Sequence, residues 1–179
     1  MSGYYQQAAI LAAFVERVRA AGLPCGETLL QKGAFVMKEL FGVPLDDEFR
    51  IHYYGPFSFQ LRERLASMEA DEIVQVRPRE LGVIYDVGGR YEQLKTRHSD
   101  AVAEARRAID WTAEHLGKLG VKDLEPLATA LYVTRETAEQ PIDERVKRLR
   151  ELKQHIDEPS ARHAVATVDR WLSETRETV

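Results

Sequence analysis

Arginine and glutamine side chains near the middle of the first half of the chain could read nucleic acid. Gln60, Arg62 and Arg64 fall on a segment with helical periodicity, and these residue types pair with adenine and guanine edges in the major groove of DNA. Arg62 and Arg64 lie two residues apart, so they point in different directions around a helix. Further arginines that could contact phosphates are Arg77, Arg79 and Arg90. The alternative is that all of these arginines are solvated or pair with carboxylates of the chain, such as Asp71, Glu72 and Asp86.

Aromatic residues just before that segment could instead bind a protein. Aromatic and arginine side chains are the favoured anchors of protein interfaces. The second hypothesis is therefore a protein-interaction module, whose partner is another protein or a second copy of the chain. Aromatic residues at such spacing also fill cores, so core packing of Tyr53 and Phe57 is the competing interpretation. The aromatic residues concerned are Tyr53, Tyr54, Phe57 and Phe59.

Residues that could do catalysis are scattered. No two of the five histidines have the i, i+4 spacing of a helical zinc pair, and Cys25 is the single cysteine. Ser58 lacks a Gly-x-Ser-x-Gly setting, and the sequence has no Gly-Lys-Ser/Thr phosphate loop. The sequence thus predicts a protein with no catalytic residues, no metal ligands and no cofactor. An enzyme of unknown type is the third alternative.

The spacing of apolar residues predicts the helices and strands that carry these side chains. Helical patterns cover residues 5–21, a nearly all-apolar segment ending at Phe41, and a segment from a Ser58 cap to about Ala70. A short extended pattern covers residues 49–54, and two more cover 73–77 and 83–87, with a final strand expected through Tyr91 and Leu94. Helix, helix, strand, helix and hairpin is the order of a winged helix-turn-helix. Its wing is expected at the turn of residues 78–82 or at Gly88 and Gly89.

The second half of the chain is predicted to be wholly helical. After Ser99, four amphipathic patterns follow one another with short connections. We therefore expect an α+β, mostly helical fold, with a winged helix-turn-helix domain over residues 1–97 and a helical C-terminal region over 98–179 packed on it. This helical extension could also supply a dimer contact, which suits a DNA reader because two recognition helices must reach successive major grooves.

Composition sets the broad class. The 179 residues are 44% hydrophobic and 30% charged, as in ordinary globular proteins, and the formal net charge is -4. A negative net charge argues against nonspecific coating of nucleic acid, although it allows a local basic patch. A single cysteine fits a reducing compartment, and no segment has the roughly 20 apolar residues of a membrane span. The expected location is the cytoplasm of a bacterium, away from membranes.

Three short segments carry a family resemblance. They are Leu30-Gln31-Lys32, the run Tyr53-Tyr54-Gly55-Pro56-Phe57-Ser58, and Leu127-Ala128-Thr129-Ala130-Leu131-Tyr132. Together with Phe49 and Leu61 they resemble the YwgA-like group of bacterial proteins and, more distantly, the Panacea-type antitoxin domain. The resemblance implies a winged-helix fold and, in the Panacea case, neutralisation of a toxin by protein contact. It implies no catalytic residue.

Overall fold

Eight helices and four short strands make up the described part of the chain. A computed structural model describes residues 3–137 and 139–176. The fold is α+β and mostly helical. The helices, in chain order, are α1 (Tyr4–Ala20), α2 (Glu27–Phe41), α3 (Phe59–Ala70), α4 (Tyr91–Arg97), α5 (Ser99–Leu116), α6 (Val121–Glu136), α7 (Ile142–Leu152) and α8 (Glu158–Arg176).

The strands form two separate antiparallel hairpins. β1 (Arg50–His52) pairs with β2 (Gly55–Phe57), with Ile51 opposite Pro56. β3 (Val74–Pro78) pairs with β4 (Val83–Val87), with Val76 opposite Tyr85. The second hairpin is closed by a hydrogen bond of 3.0 Å from the backbone N–H of Arg79 to the carbonyl oxygen of Gly82.

Helix α2 lies at the centre of the packing. Every residue of α2 from Leu29 to Met37 is buried, which agrees with its nearly all-apolar sequence. Helix α5 packs along α1, while α6 packs against α2 and β2, and α7 and α8 pack against α6. Helix α3 places Leu61, Leu65 and Met68 in the core. One continuous apolar cluster therefore includes side chains from both halves of the chain.

Most expected elements are present, with two differences. The extended pattern was expected to stop at residue 54, but the next residues form β2, because Gly55, with φ of 88°, turns the chain back on β1. The expected final strand through Tyr91 and Leu94 is wrong. Both side chains are buried on one face of α4, because residues three apart share a face in a helix but point to opposite faces in a strand.

The proposed domain boundary falls between α4 and α5, which only His98 separates. The division into residues 1–97 and 98–179 stays a prediction. None of the helices in the described residues is long and apolar enough to cross a membrane.

Candidate functional site

Four aromatic residues at the first hairpin and the start of α3 form what we call the aromatic patch: Tyr53, Tyr54, Phe57 and Phe59. Tyr53 is 80% exposed, Phe59 60% and Tyr54 58%, while Phe57 is half-buried. The Phe57 and Phe59 rings meet edge to face at 5.1 Å between centroids. The ring of His52 lies 4.9 Å from Tyr53 and 5.4 Å from Phe57. The sequence-based alternative of core packing is therefore wrong for Tyr53.

The backbone beneath the aromatic patch is held by a buried glutamine. The side-chain amide of Gln31 donates to the carbonyl oxygen of Ser58 at 3.0 Å, and its oxygen accepts from the N–H of Ser58 at 2.9 Å. Ser58 in turn caps α3, since its hydroxyl oxygen accepts from the N–H of Leu61 at 3.2 Å. Gln31 and Ser58 are both fully buried, so this exchange fixes the point where the hairpin enters α3.

A buried lysine holds the same segment one residue further along α2. The ammonium of Lys32 donates to the carbonyl oxygen of Pro56 at 2.7 Å, and Lys32 is only 1% exposed. Burial and, second, the positive charge of Lys153 lower the pKa of Lys32 from its ordinary 10.5 to about 8, against the opposing effect of Glu125. A lysine is seldom kept so buried unless it is paired.

A second lysine reaches the tip of the hairpin from the C-terminal helices. Lys153 is 5% exposed, and its ammonium donates to the carbonyl oxygens of His52, at 2.5 Å, and of Tyr53. The same ammonium lies 3.0 Å from a carboxylate oxygen of Glu125, whose other oxygen is 3.2 Å from Nε2 of His155. The single negative charge of Glu125 can neutralise only one of the two buried lysines. The carbonyl oxygens of the hairpin therefore act as the remaining hydrogen-bond acceptors.

Close backbone approach completes this arrangement. A Cβ on Gly55 would lie 2.9 Å from the hydroxyl of Thr129 and 3.3 Å from the carbonyl oxygen of Glu125. The hydroxyl of Thr129 donates to that same carbonyl at 2.7 Å. Only a glycine fits between the hairpin and α6 at this point, and φ of 88° also favours glycine.

The buried side chains that hold the hairpin are called the polar clamp below: Gln31, Lys32, Glu125, Thr129 and Lys153. Sequence analysis assigned none of them a role, although several lie in the segments that carry the family resemblance. The missed signal was a glutamine and a lysine in succession inside a helix that is otherwise apolar all round. Polar groups at such positions are buried, so they need nearby partners.

The predicted DNA-contacting residues of α3 mostly have partners within the chain. Arg64 faces inward, 3.1 Å from the fully buried carboxylate of Asp47, and it also donates to Gln7. Nε of Arg62 lies 2.9 Å from Glu27, and its guanidinium lies 5.5 Å from the centre of the Phe57 ring. The side-chain oxygen of Gln60 accepts from the N–H of Glu48 at 2.8 Å. The exposed face of α3 is thus less basic than its sequence indicates.

Of the three arginines predicted to contact phosphates, two have partners within the chain and one is exposed without an ion pair. Arg77 lies 2.7 Å from the carboxylate of Asp86, and Arg90 donates to the carbonyl oxygen of Asp71 at 3.5 Å. The Arg77–Asp86 pair matches the carboxylate pairing considered from the sequence, whereas Arg90 contacts the backbone of Asp71 and not its carboxylate. Arg79, exposed at the turn of the second hairpin, makes no ion pair within residues 3–137 and 139–176.

Ser58 and Cys25, the two residues examined as possible nucleophiles, have structural roles. Ser58 is a helix cap, and burial raises the pKa of the Cys25 thiol to about 12, so this thiol stays protonated at neutral pH. Among the described residues, no three or more His, Cys, Asp or Glu side chains are grouped so that they could hold a metal ion.

No protein-family model matches the chain, and no curated protein matches it either. The fold class is that of a small α+β protein rich in helix.

Proposed function

We propose that the chain is a non-catalytic winged-helix protein of the cytoplasm that binds a protein partner through the aromatic patch. The order of α1, α2, β1, α3 and the β3–β4 hairpin supports the winged-helix interpretation. The resemblance to Panacea-type domains implies a toxin as the kind of partner. A second copy of the chain is the other candidate.

The observation that carries this proposal is an exposed patch on a fixed backbone. The polar clamp makes hydrogen bonds to the backbone of four residues in the segment from His52 to Ser58, which are His52, Tyr53, Pro56 and Ser58. Over the same segment Tyr53 and Tyr54 point to solvent. Aromatic side chains on a rigid backbone lose little entropy on binding, so they serve well as interface anchors.

The charges around the patch favour a protein over DNA. Arg62 is paired with Glu27, and Glu63 is exposed beside it on α3. Arg50, 85% exposed at its side chain, has Glu48 3.6 Å away. Phosphate binding draws its affinity from many unpaired cations, and this mixed surface offers few of them, whereas a polar rim around aromatic residues is typical of protein interfaces.

Site-specific photo-crosslinking tests the proposal. We would replace Tyr53 by p-benzoylphenylalanine and irradiate the protein in cells that naturally produce it. The matched control carries the same group at Tyr5, which is 48% exposed on α1, outside the patch. We expect one stoichiometric crosslinked protein from position 53 and none from position 5, with loss of the product when Phe59→Ser is added. Equal products at both positions, or no product at position 53, would refute the proposal.

DNA binding through α3 and the wing is the second candidate, and two observations favour it. Arg79 is exposed at the tip of the β3–β4 hairpin, where a wing would meet phosphates, and the polar face of α3 is open to solvent. A titration of duplex DNA across salt concentrations tests it, with Arg62→Glu and Arg79→Glu as variants. Affinity that falls steeply with salt and drops in both variants supports DNA binding. Weak binding that neither variant changes excludes it.

A further inference from the structure

A small cavity of about 100 Å³ lies where the start of α1 meets α4 and the residue before β3. Its volume is that of a few water molecules, well below the roughly 300 Å³ at which sites for drug-sized ligands begin. The buried side chains of Ile73 and Leu94 form its floor, and four exposed polar side chains surround its opening. These are Tyr5, Arg90, Gln93 and Arg97.

Three of the four polar side chains come from one face of α4. Arg90 directly precedes the helix, and Gln93, Leu94 and Arg97 follow it at intervals of three or four residues. Side chains at this spacing share one side of a helix. Because both arginines border a cavity of such small volume, their side chains lie around the same small space.

The hydrogen-bond donors around this cavity are largely unused. Within residues 3–137 and 139–176, the side chains of Tyr5, Gln93 and Arg97 make no hydrogen bond or ion pair. Arg90 makes one long hydrogen bond of 3.5 Å, to the carbonyl oxygen of Asp71. A hydroxyl, an amide and two guanidinium groups can therefore still donate to a ligand.

The lining is cationic, although the whole chain has a net charge of -4. Among the residues that the structure describes, two arginines and no carboxylate line the cavity. The carboxylate of Asp71 accepts from the hydroxyl of Tyr4 at 3.1 Å and is not part of the lining. Neither Arg90 nor Arg97 makes an ion pair in the described part of the chain, so no acidic side chain offsets their charge at the cavity.

We propose that this cavity binds a phosphate-type oxoanion between Arg90 and Arg97, either as free phosphate or as the phosphate group of a small monoester. A guanidinium donates two parallel N–H bonds to such an anion, and Gln93 and Tyr5 offer further donors. The small volume and the two unpaired charges favour this anion over an apolar ligand. The inference depends neither on the aromatic patch nor on DNA binding.

Phosphorus NMR of inorganic phosphate, titrated with the full chain at low ionic strength, tests the proposal. The test variant is Arg90→Gln with Arg97→Gln. The control variant is Arg79→Gln with Arg176→Gln, which removes the same charge from exposed positions outside the cavity. We expect phosphate affinity to fall at least about tenfold in the test variant and less than about twofold in the control. No binding to the wild type, or equal losses in the two variants, would overturn the proposal.

A second variant tests the cavity while both arginines remain. Gln93→Trp places a large ring at the exposed rim and should abolish phosphate binding, with circular dichroism confirming that the protein is folded. Binding that survives this substitution would show that the cavity is not the site.

Competing anions then define the ligand. Sulfate should displace phosphate, whereas chloride at equal ionic strength should not, and chloride as effective as sulfate would refute an oxoanion site. Phenyl phosphate that competes more strongly than inorganic phosphate assigns the cavity to a monoester. Equal or weaker competition assigns it to free phosphate.

Discussion

The ammonium of Lys32 donates a 2.7 Å hydrogen bond to the carbonyl oxygen of Pro56, and both residues are buried. This contact joins the central helix α2 to the hairpin that presents the aromatic patch. Desolvating a lysine costs free energy, which a short charge-assisted hydrogen bond only partly offsets. The buried Lys32 ammonium therefore lowers the free energy of unfolding, while its hydrogen bond fixes one backbone segment.

Stability should consequently depend on pH through Lys32. Its pKa is about 8 in the folded protein against an ordinary 10.5, so between these values the unfolded chain binds a proton that the folded chain does not. The free energy of unfolding should then rise with pH in this window, and the penalty is fully present below pH 8.

Urea unfolding of the wild type and of Lys32→Met at pH 7.5 and 9.5 measures this dependence. The difference between the two proteins should shift in favour of the wild type by about 1 to 2 kcal/mol at the higher pH. Tyrosines and Cys25 begin to ionise in the unfolded chain near pH 9.5, but both proteins contain the same ones, so their contribution cancels in the difference. A difference that stays constant, or moves the other way, would show that the Lys32 ammonium is not disfavoured by burial.

Gln31 should contribute far more to stability than an exposed glutamine does. Gln31→Leu leaves the buried N–H and carbonyl of Ser58 without partners, which we expect to cost about 2 to 4 kcal/mol. Gln60→Leu removes one exposed hydrogen bond to Glu48 and should cost less than about 1 kcal/mol. Chemical denaturation of both variants provides the comparison. Similar losses would mean that the Gln31 contacts do not hold the hairpin.

Alanine substitutions at Gly55 and at Gly22 distinguish the cost of a steric contact from the cost of an unfavourable backbone conformation. Both have positive φ, 88° and 75°, but a Cβ meets Thr129 and Glu125 only at Gly55 and nothing within 4 Å at Gly22. Gly22→Ala should cost about 1 kcal/mol, and Gly55→Ala about 1 to 3 kcal/mol more because the hairpin must move away from α6. Thermal melts of the two variants decide this. Equal melting temperatures would contradict the tight fit.

The two arginines of α3 should also differ in their effects. Arg64 is paired with the fully buried Asp47, and its side chain is 13% exposed, whereas that of Arg62 is 59% exposed. Arg64→Met should cost about 2 to 4 kcal/mol, since it leaves a buried carboxylate unpaired, and Arg62→Met less than about 1 kcal/mol. Adding Asp47→Leu to Arg64→Met should restore part of the loss. An Arg64→Met protein as stable as Arg62→Met would place Arg64 outside the core.

Local patterns in the sequence predicted much of the fold. Apolar spacing located α1, α2, α3 and the β3–β4 hairpin, and Ser58 was identified as a helix cap. The pairing of β1 with β2 was missed because Gly55 and Pro56 ordinarily end strands. The strand expected at Tyr91 was wrong because the spacing of three residues between Tyr91 and Leu94 places both on one face only in a helix.

The candidate site could be predicted only in part. The four aromatic residues were recognised as one cluster, but their exposure depends on packing that the sequence does not show. Arg64 and Asp47 are 17 residues apart, and Lys153 reaches the carbonyl of Tyr53 from 100 residues away. Contacts at such separations leave no periodic signal, so the polar clamp and the inward direction of Arg64 emerged only from the structure.

The most direct measurement uses the partner protein that crosslinking identifies, purified separately. Its affinity is measured for three forms of the chain: wild type, Tyr53→Ser and Tyr5→Ser. Because Tyr53 is the most exposed ring of the aromatic patch, Tyr53→Ser should weaken binding at least about tenfold, while Tyr5→Ser should match the wild type. Equal affinities for all three forms would contradict the account, since the patch would then take no part in recognition.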